Sequence, residues 1–284
     1  MKAQLHFTKM HGLGNDFMVL DGINQSVKLT PALIQCWADR HTGIGFDQLL
    51  LVEPARDAHS DFFYRIFNAD GQEVGQCGNG ARCLARFVRL KNLTTKPKLV
   101  ITTATSRMLL HIHADESVTV DMGMPQFAPE KIPLATPQQQ EYYELMLGAN
   151  AVRFTALSIG NPHAVIILPD NVNIAQAPVA DVGSALAQHD FFPESVNVGF
   201  MKIIDRQHVQ LRVYERGVGE TLACGSGACA AVVAGIQQGL LQQEVFVSLS
   251  RGDLVVQWQP AKTVLLTGEA VVVFEGSLVL SMSS

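Results

Sequence analysis

Two cysteines occupy the same unusual setting. One opens the phrase Cys77-Gly78-Asn79-Gly80-Ala81-Arg82-Cys83 and the other opens Cys224-Gly225-Ser226-Gly227-Ala228-Cys229-Ala230, and each phrase runs on into a long apolar segment. This pattern predicts a loop turning into a buried helix, with the thiol just ahead of the first free backbone amides. A thiol at that point feels the positive end of the helix, which favours its thiolate over a free value of about 8.5. Gly78, Gly80, Gly225 and Gly227 let a ligand approach the backbone closely, and the same amides can hold a carboxylate. Each phrase therefore offers a base beside an anion cradle. Set across one substrate carboxylate, two such mouths would flank its α-carbon. One thiol group removes hydrogen from one face, the other delivers it to the opposite face, and the carbanion charge flows into the held carboxylate. The chemistry implied is inversion at an amino-acid α-carbon, by a racemase or epimerase that needs no cofactor. The remaining cysteines, Cys36, Cys83 and Cys229, read as small buried hydrophobes.

The elements that must position these thiols also occur twice. Cys77 precedes Cys224 by 147 residues, Gly14-Asn15 precedes Gly160-Asn161 by 146, Gln48 precedes Asn197 by 149, and Asn68 precedes Glu215 by 147. Four landmarks in one order imply an internal duplication and two domains related by a pseudo-two-fold axis. In each half, two strands flank a Gly-Asn turn, a further strand ends at Asn68 or Glu215, a helix opens at the cysteine, and a strand meander follows. Thr30 with Pro31 predicts a separate helix start. From Gly225 to Gln243 no residue is charged, so that helix has no polar face and must be wrapped on all sides by a curled sheet. Its counterpart after Cys77 carries Arg82, Arg86 and Arg89 as one wetter stripe. The expected fold is α/β of the α+β kind: two pseudo-symmetric domains, each a curled, mostly antiparallel sheet or barrel around a central helix. Residues 1–124, joined by a final strand at about 273–284, form the domain with Cys77, and residues 125–272 form the domain with Cys224. The polar stretch from Gly123-Met124-Pro125 to Gln140 reads as the connection, and the active site is expected in the cleft between the domains.

At 284 residues the chain has the length of about two domains, and 48% hydrophobic with 17% charged residues is an ordinary globular composition. A net charge of -5 without any Lys/Arg block argues against nucleic acid or an anionic membrane as a main partner. No segment has the length of a membrane span, and Met1 to Phe7 alternates like a strand rather than forming a signal-peptide core. With five cysteines, an odd number, a reducing cytoplasm is the expected location. No dinucleotide or phosphate-loop motif and no metal-ligand spacing occurs, so neither cofactor nor metal is expected.

Over nearly its whole length the chain resembles the diaminopimelate epimerases. The motifs are Gly14-Asn15-Asp16-Phe17, Phe46-Asp47-Gln48, Phe67-Asn68-Ala69-Asp70-Gly71, Cys77-Gly78-Asn79-Gly80, Gly160-Asn161-Pro162-His163, Val196-Asn197-Val198-Gly199, Tyr214-Glu215-Arg216-Gly217 and Cys224-Gly225-Ser226-Gly227. The resemblance implies Cys77 and Cys224 as the base and acid pair. It also implies a cytoplasmic, usually homodimeric enzyme that interconverts LL- and meso-2,6-diaminopimelate for lysine and peptidoglycan precursors. Asn15, Asn68, Asn161 and Asn197 are its implied substrate contacts, with Gln48 as a further polar one. Arg216 can take the distal carboxylate as a fork, Glu215 can accept from an ammonium, and the amides of Gly78-Asn79 and Gly225-Ser226 would hold the reacting carboxylate.

The duplication adds an asymmetry. Phe17 aligns with His163 and Asn68 with Glu215, so these titratable partners occur only in the second half. A two-base enzyme needs one thiolate and one thiol, and His163 and Glu215 are expected to set that difference. Two other readings compete: a related racemase or epimerase for proline-type substrates, which would not need Arg216, and a thiol redox protein, which would need a resolving cysteine close to a reactive one.

Overall fold

A computed structural model of the chain describes residues 3–75 and 78–280, and Cys77 lies outside the described residues. The chain forms two compact units, Met1–Val120 with Gly268–Ser284, and Asp121–Thr267.

In the first unit, β1 (Ala3–Gly12) and β2 (Asn15–Asp21) form a hairpin over Leu13 and Gly14. Helix α1 (Pro31–Ala38) starts at Thr30, whose hydroxyl accepts from the Leu33 amide, with Pro31 in the first turn as its fixed φ favours. Strand β3 (Gln48–Pro54) lies parallel to β2, β4 (Phe62–Asn68) antiparallel to β3, and the short β5 (Glu73–Val74) beside β4. After α2 (Gly78–Leu90), β6 (Lys98–Thr102) returns parallel to β4, and β7 (Arg107–Ile112) and β8 (Val118–Asp121) continue as a meander.

The second unit comprises β9 (Tyr143–Leu147), β10 (Asn150–Ser158), β11 (Pro162–Ile167), α3 (Val179–Ala187), β12 (Asn197–Asp205), β13 (His208–Glu215), β14 (Gly219–Thr221), α4 (Gly225–Gln237), β15 (Glu244–Leu249), β16 (Gly252–Gln257) and β17 (Leu265–Gly268). Its pairings repeat those of the first. β10–β11 is antiparallel like β1–β2, β11–β12 parallel like β2–β3, β12–β13 and β13–β14 antiparallel like β3–β4 and β4–β5, and β13–β15 parallel like β4–β6. Gly14 and Gly160 take the same left-handed turn position, at φ +89° and +87°, which an L side chain disfavours. The chain finally returns to the first unit as β18 (Val271–Leu280), antiparallel to β1.

Both central helices are wrapped by their own sheet. Every residue from Ala228 to Ala234 of α4 is fully buried, and the helix packs on β10 to β13, β15 and β16. In α2, Ala81, Cys83, Leu84, Ala85, Phe87 and Val88 are buried against β1, β2, β3 and β7. Arg82 departs from the expected wet stripe and is fully buried, because α2 is enclosed on that side too. Cys36 also departs from expectation: it sits on the outer face of α1, whose buried face is carried by Ile34, Trp37 and Ala38. The polar stretch read as the connection is docked on the second unit. Pro129, Ile132 and Leu134 are buried, and the latter two join Phe154, Leu186 and Phe192 in the apolar core of the second unit. Among the described residues no helix is long and apolar enough to cross a membrane.

Candidate active site

In the second unit, Cys224 is the N-cap of α4. Its extended backbone (φ −124°, ψ 108°) turns the sulfur onto the first turn, where Sγ accepts from the Gly227 amide at 3.4 Å and lies 3.6 Å from Ser226 Oγ. Gly227 makes room for this: a Cβ there would stand 3.2 Å from Sγ and 3.1 Å from Val213 Cγ2. Ladder register brings Glu215 to the same spot. Val213 faces Thr221 across β13–β14, Glu215 shares Val213's face two residues on, and the Thr221 hydroxyl donates to Glu215 Oε1. The Glu215 carboxylate thereby stands near enough to the Cys224 sulfur to act on its charge.

Burial pushes the Cys224 thiol well above its ordinary range, and the Glu215 carboxylate pushes it further, while Ser226 and the Gly227 amide pull the other way. The helix mouth favours the thiolate, but for a sulfur with 5% exposure facing a carboxylate, burial and the like charge outweigh it and favour the thiol. Glu215 is itself raised by burial, against the opposing pull of Thr221 and Cys224.

His163, on β11, lies beside Asn197 in the parallel β11–β12 pair. Complete burial, reinforced by the Arg216 charge, lowers His163 to about 3, so it is a neutral imidazole. Its Nε2 lies 2.9 Å from Asn161 Oδ1, and Asn161 Nδ2 donates to Ser226 Oγ at 3.4 Å. With the Asn161 amide assigned that way, His163 carries its proton on Nε2. Asn197 gives its Nδ2 to Pro162 O at 3.2 Å and accepts the Arg216 amide on Oδ1 at 3.0 Å. The exposed Arg216 side chain reaches Glu194 O at 2.8 Å rather than pairing with Glu215. His163, Asn161, Ser226 and Cys224 thus form one hydrogen-bonded chain at the mouth of α4, where Gly225 is the first helical residue, while Asn197 with Arg216 and Glu215 with Thr221 form separate pairs.

In the first unit the corresponding positions form two groups. Gln48 and Asn68 face each other across β3–β4, Gln48 Nε2 donating to Asn68 Oδ1 at 2.9 Å, and the buried Gln48 Oε1 has no partner among the described residues. Asn15 donates to Asp47 Oδ2 at 3.0 Å and accepts from Asn79 Nδ2 at 3.2 Å. Asn79 is anchored in turn by Arg82 Nη2 at 2.8 Å. Asp47 is tied by its amide to Asp16, which also takes the Arg40 fork and Lys9 Nζ. Burial alone would raise Asp16, but Arg40 and Lys9 hold it far below the usual carboxylate range. Gly78, half-buried, opens α2. Sequence reasoning missed Thr221, Asp47 and Arg82 as partners of site residues. Arg82 left a signal, an arginine three residues after Asn79 on the same helix face.

Comparison with known proteins converges on one family. The family model for diaminopimelate epimerase matches residues 7–128 and 155–273. A curated diaminopimelate epimerase of Nitrosomonas europaea is 55% identical over 276 residues, covering 97% of this chain and 99% of that protein. Among solved structures, a hydroxyproline epimerase from Agrobacterium vitis with bound trans-4-hydroxy-L-proline superposes with a TM-score of 0.68 at 14% identity, covering 99% of this chain and 94% of that one. A probable proline racemase from Agrobacterium radiobacter with bound carbonate gives 0.67 at 15% identity, over 98% and 93%. Those two likenesses establish the shared fold, and the sequence matches go further: the chain belongs to the diaminopimelate epimerase family.

Proposed function

We propose that the protein interconverts LL- and meso-2,6-diaminopimelate without a cofactor, by passing the α-proton between Cys77 and Cys224. The observation that carries this reading is the 55% identity to a curated diaminopimelate epimerase along nearly the full length of both chains. In one direction the Cys77 thiolate takes the α-proton and the Cys224 thiol gives its own to the opposite face, leaving a Cys77 thiol and a Cys224 thiolate. In the other direction the roles exchange. The geometry of Cys224 supports its part as donor, because burial and Glu215 hold it protonated until substrate arrives. Gly78 and Asn79, with Gly225 and Ser226, offer amides to the reacting carboxylate, and Asn15, Gln48, Asn68, Asn161 and Asn197 bind the polar groups of the substrate. Arg216 takes the distal carboxylate, which its exposed guanidinium favours. Glu215 accepts from a substrate ammonium and, with His163, sets the two thiols apart. Each half of the duplicated chain, residues 1–124 with 273–284 and residues 125–272, contributes one thiol. The enzyme acts in the cytoplasm as a homodimer, supplying lysine and peptidoglycan precursors.

The test is deuterium wash-in. In heavy water the protein, free of pyridoxal phosphate and metal, should place deuterium at the α-carbon of diaminopimelate, and Cys77→Ala and Cys224→Ala should each abolish epimerisation. Full turnover by either variant would refute the two-base reading. Disulfide reduction without α-exchange would favour a thiol redox protein, and exchange into proline but not diaminopimelate a proline-type racemase.

A further inference from the structure

Glu215 carries much of the proposed asymmetry between the two halves, yet a carboxylate on a strand end next to an exposed glycine turn needs something to hold it. The following segment, Arg216 to Val218, is exposed, and Gly217 and Gly219 both take positive φ, at +77° and +99°. The Thr221 hydroxyl donates to Oε1, and the Cys224 thiol is near enough for the two groups to act on each other's charge. Thr221 is half-buried on β14, opposite Val213, so its χ1 is restricted both by branching and by the ladder. We propose that Thr221 is a positioning residue for the reaction: its hydroxyl fixes the Glu215 carboxylate so that an oxygen stays turned towards Cys224 Sγ, in the ionised form that opposes a second negative charge on that sulfur.

This rests on the epimerase reading for its catalytic consequence, but the contact itself does not. The other ionisable groups around Glu215 leave Thr221 with this task. Cys224 at the mouth of α4 is a thiol, and His163 on β11 is neutral. Arg216 in the following turn binds Glu194 O, and Glu220 on β14 is paired with Arg212 of β13 at 2.7 Å. Hydroxyl donation favours the charged carboxylate, so its removal should raise Glu215 further. The acid limb of kcat/KM then moves to higher pH, because the protonated carboxyl no longer opposes charge on Cys224.

The experiment compares Thr221→Val, which replaces the hydroxyl by a methyl of similar shape, with Thr221→Ser, which keeps it. Titration of Glu215 is followed by carbon-13 NMR in glutamate-labelled protein, and kcat/KM for diaminopimelate is followed against pH. In Thr221→Val the Glu215 midpoint should rise and kcat/KM at neutral pH should fall about ten-fold, as for loss of one hydrogen bond to a charged group. Thr221→Ser should restore both. Equal midpoints in Thr221→Val and the parent protein, or equal damage in both variants, would overturn the proposal. If the midpoint rises but the parent protein shows no α-exchange on diaminopimelate, Thr221 holds Glu215 as described and the epimerase reading is what fails.

Discussion

Cys224 has two tasks that can be separated by one atom. Its sulfur caps α4 through the Gly227 amide at 3.4 Å, and the same sulfur is the proposed proton carrier. Cys224→Ser keeps an acceptor at that point and improves it, since serine is among the best N-caps. Cys224→Ala removes it, which costs about 1 kcal/mol for the cap, plus about 1 kcal/mol for the space left by a buried second-row atom. At about 2–4 °C per kcal/mol for a chain of this size, the alanine variant should melt about 4–8 °C below the parent and the serine variant within about 2 °C of it. Activity should not follow stability. A serine hydroxyl cannot carry the proton at neutral pH, so both variants should lose at least about a hundred-fold in α-deuterium exchange, the usual contribution of a positioned acid or base. Differential scanning calorimetry beside the exchange assay reads both quantities on one sample. A serine variant melting no higher than the alanine variant would refute the capping role, and one keeping a tenth of the exchange would refute the proton-carrier role.

Three further outcomes follow from the same geometry. His163 titrates at about 3 when folded, below its unfolded value of about 6.5, so it does not affect stability above pH 6.5 and lowers it by up to about 1.4 kcal/mol per unit as pH falls from there; His163→Gln should flatten the loss of Tm between pH 6.5 and 4. Gly227→Ala gains about 1 kcal/mol in helix propensity but presses a Cβ onto Sγ at 3.2 Å, so kcat/KM should drop about ten-fold with little change in Tm. Asp16→Asn removes the carboxylate facing Lys9, whose side chain is 9% exposed, and should cost about 2–3 kcal/mol in chemical denaturation at pH 7. Because the folded Asp16 carboxyl is held low, its contribution is present above pH ~4 and lost as pH falls, so the variant should show less acid-dependent loss than the parent.

What could be read from the bare chain was whatever repeats or obeys a local rule. The 147-residue offset between the cysteine phrases foretold two sheets of matching pairing, and an uncharged run from Gly225 foretold a helix enclosed all round. Thr30 and Pro31 marked a helix start that depends on nothing distant. The misreadings all depended on neighbours remote in the chain. Which cysteine is the thiol was not legible, because a helix mouth is a local feature shared by both phrases, whereas the burial of Cys224 and the nearby Glu215 come from the fold around the β13–β14 hairpin. Arg82 looked wet because arginine usually is, and its partner Glu269 O lies 187 residues away. Ile132 and Leu134 were lost in a polar stretch because two apolar residues make no recognisable period, although they suffice to dock it.

The pairing of β18 with β1, from Ala3 opposite Leu280 to His11 opposite Val271, has a consequence for biosynthesis. During translation β1 emerges long before β18, so one of its two edges lacks its partner until β18 leaves the ribosome. All nine strands of the second unit, β9 to β17, are made in the meantime, and each helix-wrapping pairing from β10 to β16 can form while that edge waits. A ribosome that stalls or terminates before Val271 therefore releases a chain with an open strand edge, the kind of surface that recruits other strands. The first unit opens before the second and is closed after it, so quality control of this protein turns on β18.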